Sequence, residues 1–495
     1  MNKEEKNSNI CPICNRPTHK ESEYCIFHAS AEEKTEEEFK QALKEYIGRI
    51  IRESRVFNFE KFIFTGDLDF SKDFNLRKIH KCNFEGVEFY NGTVSFDHIE
   101  FSKETKFIDC KFVSKVSFIG SEFRDNLYIG NVHFFDQVNF NKATFHSFEI
   151  KGTTFEGGMN SFNEAHFYGD FLIESCRFMH DIDFINSVFN YNVKMGGKEF
   201  NNSIFNFEGA DINSNFEIFF NSIEKIQIKL NNITINPSFT KITIATNNAG
   251  IYFNNANLEK TELVFELYND SFIDFQNVRM KDTFLRYDHI KSFIIQENRK
   301  NYQEAKEVYL ALKNNFHSIG RYNDESLTYK KEMDMERASH WIFNMKYDRH
   351  NLKEWLFSGH FKNWFSSAFS NIIYGYGERP RNVIFSAIFI IILFSVFFSF
   401  LGINSPEIIE MKSPAVQEIF NSNSEIISKG NLINKTTNYY IDSLYFSTIT
   451  FTTLGYGDFR PLEGLGRILA GSEAFIGAFM MALFVYTFAR RTGGR

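Results

Sequence analysis

The sequence predicts a multidomain chain: a right-handed β-solenoid followed by an α-helical module built on two membrane spans. Three observations carry this. Large apolar residues, mostly phenylalanine, recur every eleven positions from about Phe84 to Phe200. Phenylalanine reaches 61 of 495 residues against only 7 prolines, as expected where one repeat position is filled by the same residue again and again. Finally, the long apolar stretches lie in the last quarter, while a mean hydropathy of −0.30 leaves most of the chain polar.

Taken in order, the first element is a metal knuckle at 1–30. Cys11-Pro-Ile-Cys14 and Cys25-Ile-Phe-His28 form C-x2-C-x10-C-x2-H, a spacing and donor set that suit tetrahedral zinc. A segment this short has no core of its own, so the metal would supply the folding energy. Four protein ligands leave no open position, so the zinc is expected to be structural. An amphipathic helix follows at 31–56, with Phe39, Leu43, Ile47 and Ile50 on one face.

The solenoid is expected over 57–290 and regular to about 205. One register runs Phe107, Phe118, Ile129, Phe140, then Phe162, Ile173, Phe184, Met195. A second, five residues later, runs Phe112, Phe123, Phe134, Phe145, then Phe167, Phe178, Phe189, Phe200, and only the Ile150/Phe155 rung slips by one. A period of eleven also suits a right-handed helical coil. Asparagine and glycine between the rungs and apolar pairs at i, i+2 favour strands instead. The pattern resembles the pentapeptide-repeat family, which implies a solenoid whose coils bury their phenylalanines on one another.

An αα-hairpin is expected at 291–350, its helices at 302–315 and 325–337 turning at Gly320; it resembles one tetratricopeptide unit. Trp355, Phe357, Phe361, Trp364, Phe365 and Phe369 then predict an interfacial aromatic helix at 351–379. Within it Tyr374-Gly375-Tyr376-Gly377-Glu378, followed by Arg379-Pro380, reads as a turn.

The last module, 380–495, holds a span at 383–401 with no charge, a short apolar segment at 442–453 and a second span at 468–488. Between the short segment and the second span lies Thr452-Thr453-Leu454-Gly455-Tyr456-Gly457-Asp458. Alternating glycines permit a backbone that aims successive carbonyls at one axis, which is how a filter replaces the hydration shell of potassium. Span, half-helix, TLGYGD and span resemble the two-helix potassium-channel pore family. The resemblance implies a tetramer conducting K+, with Thr453, Leu454, Gly455, Tyr456, Gly457 and Asp458 as the filter. Tyr445 and Phe446 fall where the family props the filter from behind, and Ile449 where some relatives hold a glutamate partner for Asp458. Gly477 falls where the family places its inner-helix hinge, with Glu473 one turn earlier; both are gating candidates. Close helix packing by Gly477 and a buried, hydrogen-bonded Glu473 are the alternative.

The net charge of −7 gives no reason to expect nucleic acid as a partner, and Lys103, Lys106, Lys111, Lys115, Lys142 and Lys151 interrupt any DNA-like acidic field. No P-loop, nucleophile elbow, paired catalytic carboxylates or GxGxxG fingerprint is present, so no enzyme is expected. No arginine-rich voltage-sensor helix is present either. Met1 to Asn9 lacks the apolar run of a secretory signal, and all six cysteines precede the spans, as in a reducing compartment. Arg379, Arg381, Arg490, Arg491 and Arg495 flank the ends placed inside, giving a multi-pass protein of the bacterial inner membrane with both termini cytoplasmic. Expected partners are lipid, further copies of the chain, and a cytoplasmic protein or small molecule that gates it. Two other functions fit less of the chain: a membrane-tethered scaffold acting through its solenoid, and a weakly selective cation channel.

Overall fold

The computed structural model describes residues 9–53, 56–220, 224–236, 241–268, 270–341, 355–405, 408–411, 429–462 and 464–493. The segment 342–354, most of the loop between the spans and Arg495 lie outside them. The chain divides into two compact units, Met1–Thr328 and Tyr329–Arg495.

The first unit is a β-solenoid of about ten turns over 56–274. One coil passes through Thr105–Ile108, Lys111–Phe112, Val116–Ser117 and the start of Glu122–Gly130, four short sides with a corner between each. Every side pairs in parallel with its counterpart in the next coil: Phe89 with Phe112, Phe112 with Phe134, Phe134 with Phe155, Phe155 with Phe178. Residues 112 and 134 are 22 apart, so a coil holds two of the eleven-residue repeats. Successive phenylalanines therefore face each other inside a coil, and alternate ones stack along the axis. Phe107 meets Phe118 edge-on at 5.8 Å, while Phe118 stacks on Phe140 at 4.7 Å. Offset and edge-to-face pairs each add about 0.5–1.5 kcal/mol beyond area burial, which explains why one residue type fills the position.

The slipped rung is absorbed. The coil from Phe134 to Phe155 is one residue short and the next, to Phe178, one long, so Ile150 and Phe155 stay buried. Beyond Phe205 the repeat fades in sequence but persists in structure: Phe205 pairs with Ile228 and Ile228 with Ile251. Two changes hide it. The coil lengthens to 23 residues, and isoleucine takes the place of phenylalanine. The last strand is Phe272–Asp274, and single bridges continue as far as Ile294, so regular pairing stops short of the expected 290. At one corner Asn232, Asn255 and Asn277 hold φ of 54–58°, in the left-handed region that asparagine tolerates.

Both ends of the stack are covered, as the edges of a solenoid require. Helix α1, Glu36–Glu53, buries Phe39, Leu43, Ile47 and Ile50, with Phe39 edge-on to Phe64 at 5.5 Å. At the other end α2 (Tyr287–Ile290), α3 (Ile295–Asn298) and α4 (Tyr302–Ser318) pack over the last coil. The Asn315 side chain accepts from the Thr283 N–H and donates to the Thr283 carbonyl, both at 2.8 Å, so an amide closes the open backbone edge.

The second unit begins within α5, Tyr322–Ser339. Helix α6 (Gly359–Tyr374) is shorter than the expected 351–379 and carries Phe361, Trp364, Phe365 and Phe369 of the aromatic run, with Trp355 and Phe357 before it; it ends at Gly375, which caps it in the left-handed region at φ 58°. Helices α7 (Pro380–Leu401) and α9 (Leu465–Gly493) contain the two windows long and apolar enough to cross a bilayer among the described residues. Between them in sequence runs α8, Lys429–Phe451, longer at its start than the expected 442–453. A short antiparallel sheet, Ile403–Ser405 with Arg460–Pro461 and Ile408–Met411, ties the ends together.

Candidate functional site

Helix α8 is wedged between the apolar helices. Phe446 and Ile449 pack with Phe394 and Phe398 of α7, and Ile476 of α9 lies against the same cluster. Its end is drawn out by bonds from Thr452 N–H to Thr448 (3.0 Å), Thr453 N–H to Thr450 (3.0 Å) and Leu454 N–H to Ile449 (2.9 Å). The backbone then turns left-handed at Thr453 (φ 59°), Gly455 (φ 51°) and Gly457 (φ 83°). A helix C-terminus carries partial negative charge, so the residues that follow it sit where a cation is favoured. The side chains of Leu454 and Tyr456 are 58% and 69% exposed.

Asp458 has a partner that the sequence reading did not assign. Ile449 is buried and apolar, but the Tyr445 hydroxyl donates to Asp458 Oδ2 at 2.8 Å. The Tyr445 ring rests on Phe459 at 5.6 Å, and Phe446 meets Phe398 edge-on at 4.8 Å. Behind this strut Glu473 is fully buried and hydrogen-bonded to Ser447, which also reaches the Ile391 carbonyl at 2.8 Å. One serine thus joins all three helices.

Gly477 sits against the end of α8. A β-carbon there would lie 1.8 Å from the Phe451 carbonyl oxygen, a contact that only backbone displacement could relieve. This contact favours the close-packing alternative, α9 on α8. Gly477→Ala is therefore expected to destabilise the helical unit by about 1–3 kcal/mol, as overpacking does. Thermal melting of the detergent-solubilised protein checks this; an unshifted melt with a changed open probability would restore the hinge reading.

The other predicted cluster is in the first unit. The ligand atoms of Cys11, Cys14, Cys25 and His28 all lie within 4.8 Å of one another. Cys25 Sγ and His28 Nδ1 are 3.2 Å apart, Cys11 Sγ and His28 Nδ1 3.5 Å, Cys14 Sγ and Cys25 Sγ 3.4 Å. With zinc–sulfur near 2.3 Å and zinc–nitrogen near 2.0 Å, a tetrahedron has edges of roughly 3.5–3.8 Å, so the group fits. His28 Nε2 donates to the Glu60 carbonyl at 3.1 Å, which leaves Nδ1 for a metal. Burial holds the His28 imidazole below its ordinary range, and burial beside Cys25 pushes the Cys14 thiol up to about 12. A bare Cys14 thiolate is costly at such a site, and a divalent cation would relieve that cost. Cys82, Cys110 and Cys176 belong instead to the solenoid interior, where burial raises each thiol to about 12.

Comparison with known proteins follows the same division. Residues 422–493 match the family model described as ion channel, and 96–144 match pentapeptide repeats. A two pore potassium channel a from Oryza sativa subsp. japonica is 45% identical over 51 residues, 10% of this chain and 15% of that protein. The human potassium voltage-gated channel subfamily KQT member 4 is 52% identical over 44 residues, 9% of this chain and 6% of that one. The chain thus spans less than a sixth of either relative. No solved structure matches. Residues 422–493 are thus similar to an ion-channel domain of the type found in these potassium channels, and they follow a β-solenoid that is similar over 96–144 to pentapeptide repeats.

Proposed function

We propose that the protein is a potassium-selective channel of a bacterial inner membrane, conducting K+ passively as a tetramer, with both termini in the cytoplasm. The observation that carries this is the segment 453–458. It issues from the end of a wedged helix between two apolar helices, turns left-handed at alternate residues, and is braced by Tyr445 on Asp458. Thr453, Leu454, Gly455 and Tyr456 would supply the carbonyls that replace the ion's water, and Gly457 and Asp458 would complete the strand. One chain offers one wall: Leu454 and Tyr456 are open, as are Phe385, Phe389, Phe475 and Phe479 on α7 and α9. Lipid and three further copies would cover those surfaces.

The solenoid would gate or scaffold the pore, with Cys11, Cys14, Cys25 and His28 holding a structural zinc ion at its capped end. Bound there, the ion would cross-link the knuckle and do no chemistry. The deciding experiment is flux from purified protein in liposomes. A potassium gradient is expected to drive current that sodium does not replace; equal sodium and potassium flux would refute selectivity, and no flux would refute the channel.

A further inference from the structure

The Tyr-Gly-Tyr-Gly at 374–377 is built as a joint. Gly375 (φ 58°), Tyr376 (φ 57°) and Gly377 (φ 89°) are left-handed in succession between α6 and α7. Glycine adopts that backbone freely, but a tyrosine with positive φ is uncommon and persists only where its surroundings hold it. They do. Tyr376 is 5% exposed, and its hydroxyl accepts from Arg337 Nη1 at 3.0 Å and bonds Ser367 Oγ at 3.0 Å. Arg337 is oriented in turn by Asp334 at 2.9 Å.

Two residues further along, the same turn meets the end of the second apolar helix. Glu378, only 11% exposed, pairs with Arg490 Nε at 3.0 Å. The Arg490 guanidinium lies 4.7 Å from the centre of the Tyr329 ring and within 3.4 Å of the Tyr486 hydroxyl. Gly377 makes room for it: a β-carbon there would come 3.3 Å from Arg490 Nη1. One strained turn is thus held by Arg337 of α5 and by Arg490 in the last turns of α9, and Tyr329 of α5 lies against Arg490. A mere connector between two helices needs neither a strained tyrosine nor a guanidinium engaged three ways.

We propose that this turn is a gating latch, in which Glu378 positions the end of α9 through Arg490 and α5 positions the turn through Arg337 and Tyr376. The proposal rests on the channel reading and names where its gate is regulated. Bending or splaying the end of α9 must break or carry along the Glu378–Arg490 pair, so movement of α5 reaches the pore through the same few atoms. Glu378 and Arg490 are positioning residues; neither touches the permeating ion.

The test uses the full chain in planar bilayers. Glu378→Gln and Arg490→Gln are each expected to shift the open-to-closed ratio in the same direction, by about fivefold or more. Combined, they should add nothing further, and the charge swap of Glu378→Arg with Arg490→Glu should return the ratio towards wild type. Tyr376→Phe should shift it as well, with potassium-over-sodium selectivity unchanged throughout. Wild-type gating in both single variants, additive single effects, or a swap that fails to restore gating would overturn the latch and leave the channel standing. Absence of potassium current from the wild type would overturn the channel reading and the latch with it. Where a single variant fails to assemble, the swap decides the outcome.

Discussion

Potassium conduction is expected to disappear in Gly455→Ala while assembly stays near wild type. Gly455 holds φ 51°, and a β-carbon there meets nothing within 4 Å in its own chain. Local crowding is therefore not the cause of the loss. The cause is backbone preference: a left-handed L-residue costs about 1–2 kcal/mol, and in a tetramer that cost repeats in every copy at one level of the pore. The segment relieves it by rotating a peptide, which turns a carbonyl away from the axis. An ion that has shed its water then lacks a ligand, and functional groups must sit within about 0.5 Å of the productive geometry to do their work. The matching control is Leu454→Val, which alters a side chain and leaves the coordinating carbonyl in place; it should conduct. Potassium and sodium flux from liposomes containing each variant is the measurement. Unchanged potassium flux in Gly455→Ala would remove 453–458 as the filter.

How much of this was legible depended on the range of the interaction. The solenoid's inner walls could be read because a coil is a whole number of eleven-residue repeats, so spacing in sequence becomes stacking in space, as at Phe118 and Phe140. Once coils reached 23 residues the same arithmetic failed, although Phe205, Ile228 and Ile251 still lie in register. The Cys11, Cys14, Cys25 and His28 cluster was legible because local spacing brings the donors close. The Tyr445–Asp458 bond was not. It depends on how the chain folds back after α8, and the sequence marks Tyr445 only as an aromatic prop. Gly477 shows a related limit: the sequence leaves hinge and close packing both open, and only the fold places the Phe451 carbonyl against it, in favour of packing. The Glu378–Arg490 pair joins residues more than a hundred positions apart, which no periodicity announces.

Loss of the metal cluster should uncap the solenoid. The knuckle's own contacts make the argument. Phe27, between two ligands, stacks on Phe62 at 4.7 Å, and its carbonyl accepts from the Ile63 N–H at 2.8 Å. Lys34 Nζ bridges the Ile26 and Ile63 carbonyls at 2.9 and 2.6 Å, and His28 is tied to Glu60. The segment from Cys11 to His28 thus supplies the partner for the first coil's edge, yet its described residues contain no regular helix or strand to hold it. A structural zinc site contributes about 10–16 kcal/mol of apparent folding free energy at neutral pH, far more than the remaining contacts of so short a segment. Cys11→Ser with Cys14→Ser removes two of the three thiols, so a bound ion would be released and the strand Ile63–Thr65 would lose its cover. The wild type should carry one zinc per chain by elemental analysis and the double variant none. Hydrogen exchange should quicken at 56–70 in the variant while coils from Phe107 to Phe189 keep wild-type protection, because each coil rests mainly on its neighbours. Wild-type protein purified without chelators and found free of every metal would show that the cluster holds by thiol and imidazole contacts alone.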